Sequence, residues 1–91
     1  MEAAPENQDT YQGLRDIIAR LRAPDGCPWD QEQTHSTLRR NLLEECYEAL
    51  EALDAGNSQS LSEELGDVLM QIVFHCLIAE ESGDFTDADM F

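Results

Sequence analysis

Apolar residues recur along this chain at intervals of three and four, the spacing that puts side chains on one face of a helix. Leu14, Ile17, Ile18 and Leu21 keep that interval first, with Asp9 or Thr10 ahead of them as a cap. The turn Ala23-Pro24-Asp25-Gly26 stops this helix near Arg22. Cys27-Pro28-Trp29-Asp30 then reads as extended or loop chain, because the residue before a proline avoids the helical region. A second helix runs from near Thr34 to Asp54, with Leu38, Leu42, Cys46, Ala49, Leu50 and Leu53 as its stripe. Ala55-Gly56-Asn57 ends it, and Gly56 suits the left-handed position that closes many helices. A third helix opens on the capping box Ser60-x-x-Glu63 and fades near Ser82-Gly83. Its apolar positions are Leu61, Leu65, Val68, Leu69, Ile72, Val73, Cys76 and Leu77. Thr86 or Asp87 can open one more short helix.

No strand alternation appears, so the expected fold is all-α. Two long helices joined by a short loop pack antiparallel, here as a helical hairpin preceded by an N-terminal helix. The third helix is apolar over more than one stripe, which a single hairpin cannot cover. A homodimer that completes a four-helix-bundle-like core, or a higher homo-oligomer, is the expected remedy. Residues 1–8 read as a flexible tail and 9–91 as one small domain.

Charge narrows the function classes. The 91 residues carry 20 acidic and 5 basic side chains, a net charge of −15. Phosphate contacts need Lys and Arg, so nucleic acid and anionic membrane surfaces are not expected partners. No apolar run approaches the roughly 20 residues that span a bilayer. Cys27, Cys46 and Cys76 fit neither a zinc spacing nor a disulfide framework, and Cys46 and Cys76 fall at helical core positions. With no signal-peptide pattern at the N-terminus, a cytoplasmic location is expected.

The acidic residues are not evenly spread. Glu44, Glu45 and Glu48 form E-E-x-x-E, and Glu64 and Asp67 form E-x-x-D, beginning 16 residues after Glu48. Like charges at i,i+3 repel on a helix. From Asn41 to Phe91 there are 13 acidic residues and no basic one, so neither cluster has a basic i+4 partner within that stretch. Antiparallel packing lets the two clusters face each other, and converging carboxylates suit Mg²⁺ or Mn²⁺. The competing reading is the hydrated acidic surface of a salt-adapted protein. Other residues also carry two readings. His75, eight residues beyond Asp67 with Gln71 between, either extends a polar line from the clusters or is a partly buried, hydrogen-bonded histidine. Trp29 either stacks on a nucleobase or plugs the helix ends. Arg39 and Arg40 either meet phosphate or pair with Glu32 or Asp30.

Cys27-Pro28-Trp29-Asp30, Gln33-Thr34-His35, Leu38 and Leu43-Glu44-Glu45-x-Tyr47-Glu48 together resemble the MazG nucleotide pyrophosphohydrolase family. Glu63-Glu64-Leu65-Gly66-Asp67, Gln71-Ile72-Val73-Phe74-His75 and Ala79-Glu80 are similar to its second motif region. The resemblance covers about residues 12–85. It implies an all-α, oligomeric hydrolase that needs Mg²⁺ or Mn²⁺ and cuts nucleoside triphosphates to the monophosphate and pyrophosphate. It implies Glu45, Glu48, Glu64 and Asp67 as metal ligands and Glu44 and Glu45 as catalytic residues. Trp29, Asp30, His35 and Arg39 are the implied substrate contacts. Family members usually continue into a basic helix that this chain stops short of, so the domain is expected to be truncated at its C-terminus. The alternative function is a non-catalytic oligomerisation or regulatory module of the same fold.

Overall fold

The computed structural model describes residues 10–91, so the tail assigned to residues 1–8 lies outside the described residues. Five helices follow in order: α1 (Tyr11–Arg22), α2 (Pro28–Glu32), α3 (His35–Asp54), α4 (Ser58–Glu81) and α5 (Asp87–Met90). No strand occurs among the described residues, as the all-α reading requires. α3 and α4 form the antiparallel hairpin, with α1 against α4, α2 against α1 and α5 against α4.

Local chemistry sets the boundaries. Thr10 caps α1 by accepting from the Gly13 N–H, and Thr34 caps α3 in a reciprocal box with Thr37. Gly26 closes the turn after α1, where a Cβ would run into the Leu21 and Arg20 carbonyl oxygens. Gly56 takes φ +67° between α3 and α4, the left-handed position expected of it.

Two boundaries differ from the reading of the sequence. Only Cys27 is extended; Pro28 begins α2, because a proline excludes helix before itself yet fits the first helical position. The α4 cap is Asn57, whose side chain accepts from the Ser60 N–H, so Ser60 lies inside the helix. Glu63 is bonded instead by Gln59 Nε2 at 3.1 Å.

The core is concentrated at one end. Ile18, Leu38, Val73, Phe74, Leu77 and Ile78 form one buried cluster, with Tyr11 and Leu14 packed on it. It lies where α1 and the start of α3 meet the C-terminal half of α4. Toward the α3–α4 loop only two helices are present, and Ala52 is the one buried residue among the described positions from 43 to 69. The expected core position of Cys46 is corrected here, since Cys46 is exposed, whereas Cys76 is buried. Leu50, Leu53 and Leu65 of the apolar stripes are each more than half exposed. With Cys46, Ala49, Leu61 and Val68 they line an apolar groove of about 460 Å³.

Candidate metal centre

The thin, two-helix end of the hairpin carries the acidic clusters. Glu45 and Glu48 stand one turn apart on α3, and Glu64 lies on the early turns of α4. One carboxylate oxygen from each of Glu45, Glu48 and Glu64 falls within 4.8 Å of the others. Three residues from two chain segments thus converge, as the antiparallel reading expected. Asp67 stands outside this trio, but its negative charge bears on both Glu45 and Glu64.

The electrostatics are unfavourable as they stand. Glu45 Oε2 and Glu64 Oε2 are shielded from solvent and receive no hydrogen bond. Loss of solvent, then the Glu48 and Asp67 charges, push the Glu45 carboxyl above its ordinary range. Glu64 is pushed up by loss of solvent, then by the close approach of the Glu48 carboxylate and by the Asp67 and Glu45 charges. No N–H or hydroxyl donor serves these shielded oxygens. A hard cation would remove the conflict. The donors are all oxygens, the set that Mg²⁺ and Mn²⁺ prefer. The salt-adapted surface reading does not explain the two shielded, unbonded oxygens.

Glu44 behaves differently from its neighbours. It is exposed and accepts from Arg40 Nε at 3.0 Å. The expectation that these clusters lack a basic partner is corrected for Glu44, because Arg40 stands just before the stretch without basic residues. Arg40 therefore pairs within α3 rather than with Glu32 or Asp30.

The residues assigned to substrate lie toward the other end of the hairpin. Trp29 is half exposed and meets Phe74 edge to face, with ring centroids 6.4 Å apart. Asp30 is buried in the first turn of α2, and its carbonyl accepts from Arg22 Nη1 at 2.7 Å. His35 is exposed at the start of α3 and bonds His75, Nδ1 to Nδ1, at 2.7 Å. Arg39 is exposed one turn further along α3. From His35 to Glu45 the helix rises about 15 Å, so His35 does not touch the carboxylate trio. The hydrogen-bonded reading of His75 holds.

Three polar residues beside the trio escaped the reading of the sequence. Glu51, Asn57 and Ser60 join Glu48 and Glu64 around a depression of about 250 Å³. Glu51 continues the i,i+3 series from Glu48, which was a legible signal. Asn57 and Ser60 reach the site because the α4 cap sits three residues earlier than Ser60, a shift that spacing did not reveal.

Residues 33–91 match the family model described as the MazG nucleotide pyrophosphohydrolase domain. A nucleoside triphosphate pyrophosphohydrolase/pyrophosphatase MazG of Thermotoga maritima is 51% identical over 80 residues, which are 88% of this chain and 31% of that protein. A nucleoside triphosphate pyrophosphohydrolase of Escherichia coli K12 is 48% identical over 77 residues, 81% of this chain and 29% of that protein. The uncharacterized protein YabN of Bacillus subtilis is 49% identical over 80 residues, 88% of this chain and 16% of that protein. The chain therefore spans about a third or less of these relatives' length.

Proposed function

The chain belongs to the MazG nucleotide pyrophosphohydrolase family, and from that premise we propose that it hydrolyses nucleoside triphosphates to monophosphate and pyrophosphate with the help of Mg²⁺ or Mn²⁺. The observation that carries this reading is the convergence of Glu45, Glu48 and Glu64 within 4.8 Å, with two carboxylate oxygens shielded and unbonded. Glu45, Glu48 and Glu64 would hold the cation, and Asp67 would complete the negative field around it. When bound, a divalent cation offsets phosphate charge and lowers the pKa of a coordinated water.

The protein's own groups supply positioning and proton transfer. Glu44 is the candidate acceptor for the proton of the attacking water. Its bond to Arg40 is exposed on both sides, and such pairs contribute only about 0–1 kcal/mol, so exchanging that bond costs little. Glu45 would share in fixing the attack geometry from the adjacent position. Trp29, Asp30, His35 and Arg39 are the proposed contacts to the rest of the substrate. The exposed indole face offers stacking and the Arg39 guanidinium offers charge. Buried Asp30 would act by holding Trp29 in place.

The apolar groove between α3 and α4 favours a second copy of the chain as its cover. Leu50, Leu53, Leu61 and Leu65 would then form the middle of a four-helix bundle. Among the described residues no helix is long and apolar enough to cross a membrane. A cytoplasmic location is our reading of three cysteines that remain thiols.

Pyrophosphate release from a panel of ribo- and deoxyribonucleoside triphosphates, with and without Mg²⁺, tests the activity. We expect metal-dependent release that Glu45→Ala lowers by more than about 100-fold. Equal background rates for wild type and Glu45→Ala would leave the non-catalytic module as the better account.

A further inference from the structure

Away from the carboxylates, two histidines face each other across the hairpin. His35 is the first residue of α3, and His75 lies on the core half of α4. Their Nδ1 atoms are 2.7 Å apart. The rings are parallel within 3°, with centroids 4.9 Å apart. Parallel planes that hold two atoms this close cannot themselves be farther apart than those atoms. That is less than a van der Waals contact of about 3.5 Å, so the rings do not lie face over face. They lie side by side near one plane, with an N–H of one ring aimed at the lone pair of the other.

A neutral imidazole has one N–H and one bare nitrogen. This bond needs one Nδ1 protonated and the other bare, so the two rings hold opposite tautomers. Solvent distinguishes them. His35 is exposed, whereas His75 is half-buried, with Nε2 shielded and unbonded. Burial, and after it the His35 charge, hold the His75 imidazole below the ordinary histidine range. That charge comes from α3, where Arg39 is one turn beyond His35. On α1 and α5, Arg15 pairs with Glu80 and Asp87, Arg22 pairs with Glu81, Asp16 accepts from Gln12, and Asp89 accepts from the Thr86 N–H. On α2, the Asp30 charge bears on Arg22.

We propose that His35 and His75 form a one-proton clasp that pins the start of α3 to α4 and opens only when both rings are charged. Burial disfavours the first added proton on His75. The bond then survives as an imidazolium N–H donating to the bare Nδ1 of His75, a stronger, charge-assisted bond. The second proton sets N–H against N–H and charge against charge, and the start of α3 is released. The clasp stands about 15 Å from Glu45 by helix rise, so it does not depend on the metal reading.

Nuclear magnetic resonance titration of the histidine side chains in the wild-type chain tests the clasp, with exchange followed at the Thr37 and Leu38 amides, which are bonded to Thr34. We expect unlike tautomers at neutral pH and two steps more than about one pH unit apart, as interacting groups show. Exchange at Thr37 and Leu38, corrected for its intrinsic pH dependence, should rise about tenfold through the lower step, the scale of a 1.4 kcal/mol opening. His75→Gln removes the second imidazole and should abolish the acid-induced rise in exchange. Like tautomers, steps closer than one unit, or exchange indifferent to the lower step would overturn the proposal. The wild-type titration decides the matter alone should the variant not fold.

Discussion

Arg22 grips Glu81 with two parallel hydrogen bonds, Nε to Oε2 and Nη2 to Oε1, both at 2.8 Å. Its remaining nitrogen, Nη1, donates to the carbonyls of Asp30 at 2.7 Å and Gln33 at 3.0 Å. One guanidinium therefore ties the end of α1 to the end of α4 and holds the α2 segment between them. The Arg22 side chain is only 9% exposed, against 52% for Glu81, so removal strands two carbonyls as well as a carboxylate. Arg22→Ala should cost about 2 kcal/mol, the range for hydrogen bonds to a charged group. Arg22→Lys should recover less than half, because an ammonium cannot reproduce the fork. Urea midpoints for both variants check this; a loss below about 0.5 kcal/mol would reduce the contact to an ordinary surface pair.

The same contact fixes a pH response. The hydrogen bond from Arg22, opposed by burial and aided by the Arg22 charge, holds the Glu81 carboxyl below its ordinary 4.5. A depressed acid contributes stability above its unfolded value and loses it as pH falls through the folded one. The wild type should therefore lose stability relative to Arg22→Ala as pH drops below about 4.5. Denaturant unfolding of both chains between pH 6 and pH 3 measures the difference. A gap that stays constant over that range would contradict the assignment.

Glu64 has the opposite sign. Its carboxyl is pushed above 4.5, first by loss of solvent and then by Glu48. A raised acid destabilises the fold above its folded value and ceases to do so as pH falls toward the unfolded one. Glu64→Gln should therefore stabilise the metal-free chain at neutral pH, with the gain vanishing under mild acid. His75 works against this in the same window, since a depressed base loses stability as pH falls below 6.5. The difference between wild type and Glu64→Gln, not the wild-type curve, is thus the informative quantity. Mn²⁺ at about 100 times its dissociation constant should add about 2.7 kcal/mol to the wild type and far less to the variant. Equal thermal shifts in the two would remove Glu64 from the ligand set.

Much of this arrangement was legible because it is local. The end of α1 at Arg22, the start of α3 near Thr34 and the left-handed Gly56 each depend on a few adjacent residues. Pro28 misled because one residue both forbids helix before it and starts helix at itself. Ser60 misled because a serine three residues before a glutamate also occurs inside helices, while the nearby Asn57 takes the cap. The Glu45–Glu48–Glu64 convergence followed from hairpin geometry, but spacing could not separate Asp67 from the trio. The His35–His75 bond joins residues 40 apart and left no periodic trace. Periodicity also cannot tell a face buried within the chain from one left for another chain, and there the reading of Cys46 failed.

That last ambiguity yields a contrast between two leucines. Leu38 is 0% exposed and belongs to the buried cluster with Ile18, Val73 and Phe74. Leu38→Ala should cost about 2–5 kcal/mol whatever the protein concentration, because the cavity forms inside one chain. Leu53 is 57% exposed on the isolated chain and lines the apolar groove with Leu50, Leu61 and Leu65. A chain that works alone should tolerate Leu53→Ala within about 0.5 kcal/mol. A chain whose groove seats a second copy should instead melt higher as concentration rises, by mass action. We expect that behaviour in the wild type. Leu53→Ala should lower the melting temperature most at high concentration and move the sedimenting species toward monomer. Concentration-independent melting in both chains would mean that this groove does not hold a second copy, leaving Leu50, Leu53 and Leu65 as surface apolar residues.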